Sequence, residues 1–162
     1  MSIAIPVSDD ALRNMSNCKV GDLSEGLFFV ACIVHDWEAF KAFGHENASD
    51  WIIKRGHIKQ SVQVKTATID ERGDYCVEVQ RGGKNNKRAY AKGDFDVLAA
   101  YLPDRNQFVF WTFDDIRGRK KVRYNPARHR QPGNWELIDE VAQSQTNFLP
   151  KDSQCPTPSL NL

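Results

Sequence analysis

With 162 residues, 41% hydrophobic and 27% charged, the chain has the size and composition of one folded domain with a single sizeable core. Its first fifteen residues lack a basic start followed by an apolar run of signal-peptide length. No segment approaches the roughly 20 apolar residues of a membrane span, so a cytoplasmic protein is expected. Cys18, Cys32, Cys76 and Cys155 form no CxxC pair and no zinc-like spacing, which makes free thiols the simplest expectation, Cys32 within an apolar segment.

Residues 1–16 read as a loose leader ahead of a domain spanning 17–146. The first element is a helix from about Val20 to His35. Leu23, Leu27, Val30, Ala31 and Val34 recur on one face, and Phe28, Phe29, Cys32 and Ile33 fill much of the rest, so burial on most sides is expected. Glu25 is out of place in so apolar a helix, where a carboxylate is costly unless paired or metal-bound. The run Asp22-Leu23-Ser24-Glu25 also matches a capping box, and the two roles are compatible.

Trp37 to Phe43 reads as a strand, Gly44 to Asn47 as a turn and Asp50 to Lys54 as a second strand. Arg55-Gly56-His57 makes a hairpin turn, and Ile58 to Thr68 a third strand rich in β-branched residues. Gln63 and Lys65, two apart, project from one face of that strand, while Val62, Val64 and Thr66 point the other way. With Gly56 in the turn, Asp50 falls opposite Val62 or Gln63. Asp50, Gln63 and Lys65 then meet at one sheet edge. A carboxylate, an amide oxygen and a backbone carbonyl are hard oxygen ligands of the kind Mg²⁺ takes. A neighbouring lysine suits a scissile phosphate or a metal-bound water. Read alone, Asp…Gln-x-Lys equally describes the solvent face of an amphipathic strand.

A further strand from Asp74 to Gln80 runs into the loop Arg81-Gly82-Gly83-Lys84-Asn85-Asn86. Asp96 to Tyr101 and Gln107 to Phe113 form two strands joined by a turn at Leu102–Asn106. Lys121 to Tyr124 is a short strand, and Asn134 caps a last helix from Trp135 to about Gln143. Residues 147–162 carry three prolines and little periodicity and read as a disordered tail. Trp37, Trp51, Trp111 and Trp135 are expected as core anchors rather than base-stacking platforms.

The net charge of +1 conceals an uneven distribution. Arg81 to Lys92 holds five basic residues and Arg117 to Arg130 seven, with no acid in either window. Twelve of the 22 basic residues are thus segregated from all 21 acidic ones. Such segregation offers a face to a polyanion, although two solvated loops would have the same composition. In a DNA-binding protein, Lys84, Asn86, Lys87, Arg88, Lys92, Arg117, Arg119, Lys120, Lys121, Arg123, Arg128, His129 and Arg130 would supply that face. Asn85, Asn86, Arg128, His129, Arg130 and Gln131 include residue types suited to reading bases.

The order of a Glu-bearing helix, a strand, an Asp strand, a hairpin and a Gln-x-Lys strand resembles the core of the PD-(D/E)XK, or restriction-endonuclease-like, nucleases. Gly21-Asp22-Leu23-Ser24-Glu25-Gly26 resembles the helix opening, and Ser49-Asp50 stands where those enzymes have Pro-Asp. Ser61-Val62-Gln63-Val64-Lys65-Thr66-Ala67 resembles the catalytic strand. With Asp94-Phe95-Asp96-Val97-Leu98-Ala99 as a later strand, the chain is most similar to the group I intron-encoded homing endonucleases of that superfamily, over about residues 19–116.

The resemblance implies an α/β fold with a mixed central sheet flanked by helices. It also implies a Mg²⁺-dependent endodeoxyribonuclease, with Mn²⁺ as substitute ion. Its catalytic residues would be Glu25, Asp50, Gln63 and Lys65, and its metal ligands Asp50, Gln63, the Val64 carbonyl and Glu25. Double-stranded DNA would be the substrate, 5′-phosphate and 3′-hydroxyl ends the products, and a homodimer or dimer-based tetramer the assembly. Gln63 in place of the usual acidic residue removes one negative charge from the metal site. A Holliday-junction resolvase or a repair or restriction nuclease would share this core. A catalytically decayed DNA-binding protein is the reading from another class, and the absence of an aromatic RNP-like strand disfavours an RNA-binding module.

Overall fold

The computed structural model describes residues 14–42, 47–82, 86–128 and 134–146. Helix α1 (Asn17–Val34) leads to strands β1 (Glu38–Lys41), β2 (Trp51–Arg55) and β3 (Ile58–Thr66). Four short strands follow: β4 (Thr68–Ile69), β5 (Tyr75–Glu78), β6 (Gln80–Arg81) and β7 (Arg88–Ala89). Strands β8 (Val97–Leu102) and β9 (Gln107–Thr112), helix α2 (Phe113–Ile116), strand β10 (Lys121–Tyr124) and helix α3 (Glu136–Thr146) complete the chain.

A five-stranded mixed sheet in the order β1-β2-β3-β8-β9 forms the centre. Strands β3 and β8 pair in parallel and every other pair in this sheet is antiparallel. All six residues of β8 are buried, as expected of a strand covered on both faces. One face packs against α1 and α3 through Leu27, Phe28, Cys32, Val62, Val64, Val97, Ala99, Tyr101 and Ile138. The other face buries Leu98, Ala100 and Leu102 against Tyr75, Val77, Val122 and Tyr124, residues of a second sheet ordered β10-β5-β4. The fold is therefore α/β with a mixed central sheet, its long helices on one side and a small sheet with the four-residue α2 on the other.

Three local features fix one end of this frame. Gly56 (φ +59°) closes the β2–β3 hairpin in a backbone conformation that costs glycine no side-chain clash, which fixes the register Trp51↔Val62. Asp96 accepts hydrogen bonds from the backbone N–H and hydroxyl of Ser61, both through Oδ2, at 2.8 and 2.7 Å. That clamp ties the middle of β3 to the residue just before β8. On the helix side, the Ser24 and Thr66 hydroxyls are 2.7 Å apart and hydrogen-bonded, joining α1 to β3.

Helix α1 differs from the sequence expectation in start and in burial. Ser16 caps it by accepting from the Lys19 N–H at 3.4 Å, one turn before the expected Val20. Glu25 consequently lies mid-helix, too far in for the Asp22–Glu25 capping box. Ser24, Leu27, Phe28 and Cys32 are the buried positions, whereas Phe29, Ile33 and Val34 are exposed. Among the described residues, the helix is covered on one side only. The third strand ends at Thr66 rather than Thr68, since Thr68 and Ile69 leave to pair with Tyr75 and Cys76 in the small sheet. Helix α2 and the ribbon strand β7, too short for a periodic signal, were not expected. Phe43 and the turn from Gly44, the leader through Arg13 and the tail from Asn147 lie outside the described residues. Trp37 and Trp51 are buried, and Trp111 and Trp135 pack against the two cores.

Candidate active site

Asp50 sits one residue before β2 and continues its ladder: its N–H donates to the Val62 carbonyl and its carbonyl accepts from the Ala42 N–H, both at 2.9 Å. Extending the β2–β3 register by one residue sets Asp50 against Gln63. Asp50 Oδ2 accepts from the Val64 N–H at 2.8 Å and from Gln63 Nε2 at 2.5 Å. The same amide nitrogen donates to the Val64 carbonyl at 3.1 Å. Gln63 is 7% exposed, so these bonds are made away from bulk water.

The electrostatics reflect a carboxylate and an ammonium sharing a half-buried place. Burial pushes the Asp50 carboxyl above the usual aspartate range, against the opposing effects of the Val64 N–H, Lys65, Lys41 and Gln63. Burial likewise draws Lys65 below the usual lysine range, while Asp50 and Glu78 hold it up.

Two clefts of about 500 Å³ each adjoin this group, and Asp50, Gln63 and Lys65 line both. The first runs along α1 and includes Ser24, Glu25, Val64 and Thr66. All four expected catalytic residues therefore line this one cleft. Glu25 forms an ion pair there with Lys41 of the edge strand. The second cleft is walled by Arg81, Asn86 and Arg88 of the β6–β7 ribbon and by Tyr90.

Among the described residues no three His, Cys, Asp or Glu side chains come together as a metal cluster. A divalent ion at this place would have to use Asp50 with neutral oxygens, and the donor set fits that requirement. The Gln63 amide nitrogen bridges Asp50 Oδ2 and the Val64 carbonyl, two oxygens drawn to one electropositive centre. A half-turn of the amide offers Oε1 beside them, giving the all-oxygen set that hard cations favour.

The basic windows are only partly what their composition suggested. Asn86, Lys87, Arg88, Lys92, Arg117, Arg119, Lys120, Lys121, Arg123 and Arg128 are all exposed. Three of them are drawn to acids from elsewhere in the chain: Lys87 to Glu78, Arg117 to Asp114, and Arg123 to Asp70 at 3.5 Å. Arg88 lies on the ribbon at the second cleft, so the first window reaches the candidate site directly. Lys121 opens β10 of the small sheet, paired in register with Glu78, and Lys120 directly precedes it. Lys84, Asn85, His129, Arg130 and Gln131 lie outside the described residues.

Sequence reasoning missed Lys41 and Tyr90. Lys41 could have been found, because a β1–β2 pairing sets it opposite Trp51, next to Asp50. Tyr90 gave no signal, since it belongs to no periodic element and reaches the site only through the return of the chain into β8.

A family model described as PD-(D/E)XK endonuclease matches residues 15–141. A solved structure described as that of a bacterial homing endonuclease superposes with a TM-score of 0.67 at 21% identity, covering 83% of this chain and 98% of the other. No curated protein matches the sequence.

Proposed function

The chain belongs to the PD-(D/E)XK endonuclease family, and on that premise we propose that it is a Mg²⁺-dependent endonuclease that cuts double-stranded DNA at specific sites. The observation that carries this reading is the convergence of Asp50, Gln63 and Lys65 between two clefts, with Glu25 in one and the arginine-bearing ribbon beside the other. Asp50, Gln63 and the Val64 carbonyl would hold the ion. When bound, it supplies Lewis acidity and a water acidified towards hydroxide.

The protein's own groups do the rest. The Val64 N–H fixes the Asp50 carboxylate so that its remaining oxygen sites face the cleft. The Lys65 ammonium lies beside the scissile phosphate and stabilises the charge that builds on its oxygens in the transition state. The new bond joins water oxygen to phosphorus and the P–O3′ bond breaks, leaving 5′-phosphate and 3′-hydroxyl ends. Glu25, held by Lys41, orients water at the α1 side of the phosphate. Arg88 and the other exposed cations of the two windows neutralise flanking phosphates.

The fold likeness to a homing endonuclease supports the site-specific version of this reading. One constellation per chain against two antiparallel DNA strands calls for two copies related by a two-fold axis.

Incubation with linear duplex, four-way junction and single-stranded DNA, with Mg²⁺ and with EDTA, tests the proposal. The expected result is Mg²⁺-dependent cutting of duplex at few positions. Preference for the junction would point to a resolvase on the same core. Binding without cleavage of any substrate would leave a DNA-binding protein on a decayed nuclease fold.

A further inference from the structure

Lys65 reaches its place on a long, flexible side chain from a half-buried position, where burial strips water from the ammonium. Asp50 attracts it electrostatically without fixing its position, and Glu78 is exposed. A rigid surface is needed to limit its rotamers, and one aromatic ring is placed to supply it. Lys65 Nζ stands over the Tyr90 ring, 5.8 Å from its centroid, within the range of cation–ring attraction. Tyr90 is 9% exposed and lines the same cleft as Asp50, Gln63 and Lys65. Its ring packs edge-on against Phe95 (4.8 Å, 77°), which packs edge-on against Phe113 (5.9 Å, 73°). Three interlocked rings, with both phenylalanines buried, anchor Tyr90 in the core and leave it little room to turn.

We infer that Tyr90 is a positioning residue: its ring holds the Lys65 ammonium beside Asp50, in the attitude from which it meets the scissile phosphate. This role rests on the nuclease reading. It belongs to the ring and not to the phenol hydroxyl, so phenylalanine should replace tyrosine and an aliphatic residue should not.

Proton NMR of the intact chain tests the contact without cleavage. The Lys65 ε-methylene protons should be shifted upfield by the ring current, the shift surviving in Tyr90→Phe and vanishing in Tyr90→Leu. Random-coil ε-proton shifts in the wild type would overturn the contact.

Kinetics test the role. Tyr90→Phe should keep kcat within about twofold, and Tyr90→Leu should lose about tenfold in kcat, the equivalent of about 1.4 kcal/mol, with KM for DNA nearly unchanged. In a Lys65→Ala background, Tyr90→Leu should have no further effect on the residual rate. A loss in Tyr90→Leu that persists undiminished in that background would make the tyrosine merely structural. A wild type that cuts no DNA would sink the nuclease reading and this role with it, whereas an active wild type and an equally active Tyr90→Leu would sink the role alone.

Discussion

Gln63→Glu puts a second carboxyl where an amide now touches Asp50 Oδ2 at 2.5 Å. Two ionised carboxylates about 3 Å apart repel by about 5 kcal/mol even at an effective dielectric of 20. One of them will therefore take up a proton. Keeping a carboxyl of ordinary pKa, about 4.3, protonated costs about 1.4 kcal/mol per pH unit above that value, hence about 3.7 kcal/mol at pH 7 and about 1 kcal/mol at pH 5. The shared proton raises the folded pKa above the unfolded one, the direction in which burial already moves Asp50. The destabilisation is thus absent below about pH 4 and grows as pH rises through the window up to the folded pKa.

Urea unfolding in EDTA at pH 5 and pH 7, with the wild type alongside, measures this. At pH 7 the midpoint of Gln63→Glu should fall by about 1–4 M, and at pH 5 most of that gap should close. Mg²⁺ should restore the midpoint at pH 7 and support cleavage at a lower concentration than the wild type requires. Equal midpoints for both proteins at pH 7 in EDTA would refute the argument, since the two side chains would then not be in contact.

Lys65→Ala should lower Mg²⁺-dependent cleavage by at least about 100-fold while leaving DNA affinity in filter binding within about threefold; a mutant cutting at the wild-type rate would remove Lys65 from the chemistry. Gln60 is completely buried and its amide has no hydrogen-bond partner among the described residues, so Gln60→Met should stabilise the protein by about 1 kcal/mol in urea unfolding, and clear destabilisation would count against that environment. Lys120→Ala with Lys121→Ala should flatten the salt dependence of DNA binding by about two units without changing the preferred sequence; an unchanged slope would place these lysines off the DNA.

The sequence was informative where one physical rule acts alone. Period-two alternation and a Gly56 turn determine the β2–β3 hairpin, and hairpin register alone brings Asp50 to Gln63 and Lys65. Helix α1 was legible in existence but not in exposure, because periodicity shows that Phe29, Ile33 and Val34 are apolar, not whether anything covers them. Charge counting did not show the ion pairs of Arg123 and Lys87 for a related reason: their partners Asp70 and Glu78 are distant in sequence or belong to another strand. Asp94 to Ala99 was recognised as a pattern, yet the work of Asp96, clamping Ser61, depends on a parallel pairing between strands thirty residues apart.

That parallel pairing has a consequence for which part of the chain is free to vary. Residues 67–96 form one excursion that leaves the sheet after β3 and re-enters at β8, and both attachment strands are neighbours in the ladder. Parallel neighbours require a long connection, and among the described residues this one carries the four short strands β4 to β7 and no helix. Asp50, Gln63 and Lys65 lie on the frame, while Arg81, Asn86 and Arg88 ride on the excursion. Strand β5 ties the excursion down, because Tyr75 and Val77 are buried in the core and the strand pairs with β10, so the β6–β7 ribbon is the part that can vary without re-registering the β2–β3 hairpin. Such variation has to respect the end of the excursion, where Tyr90 and Phe95 lock the returning chain into the core.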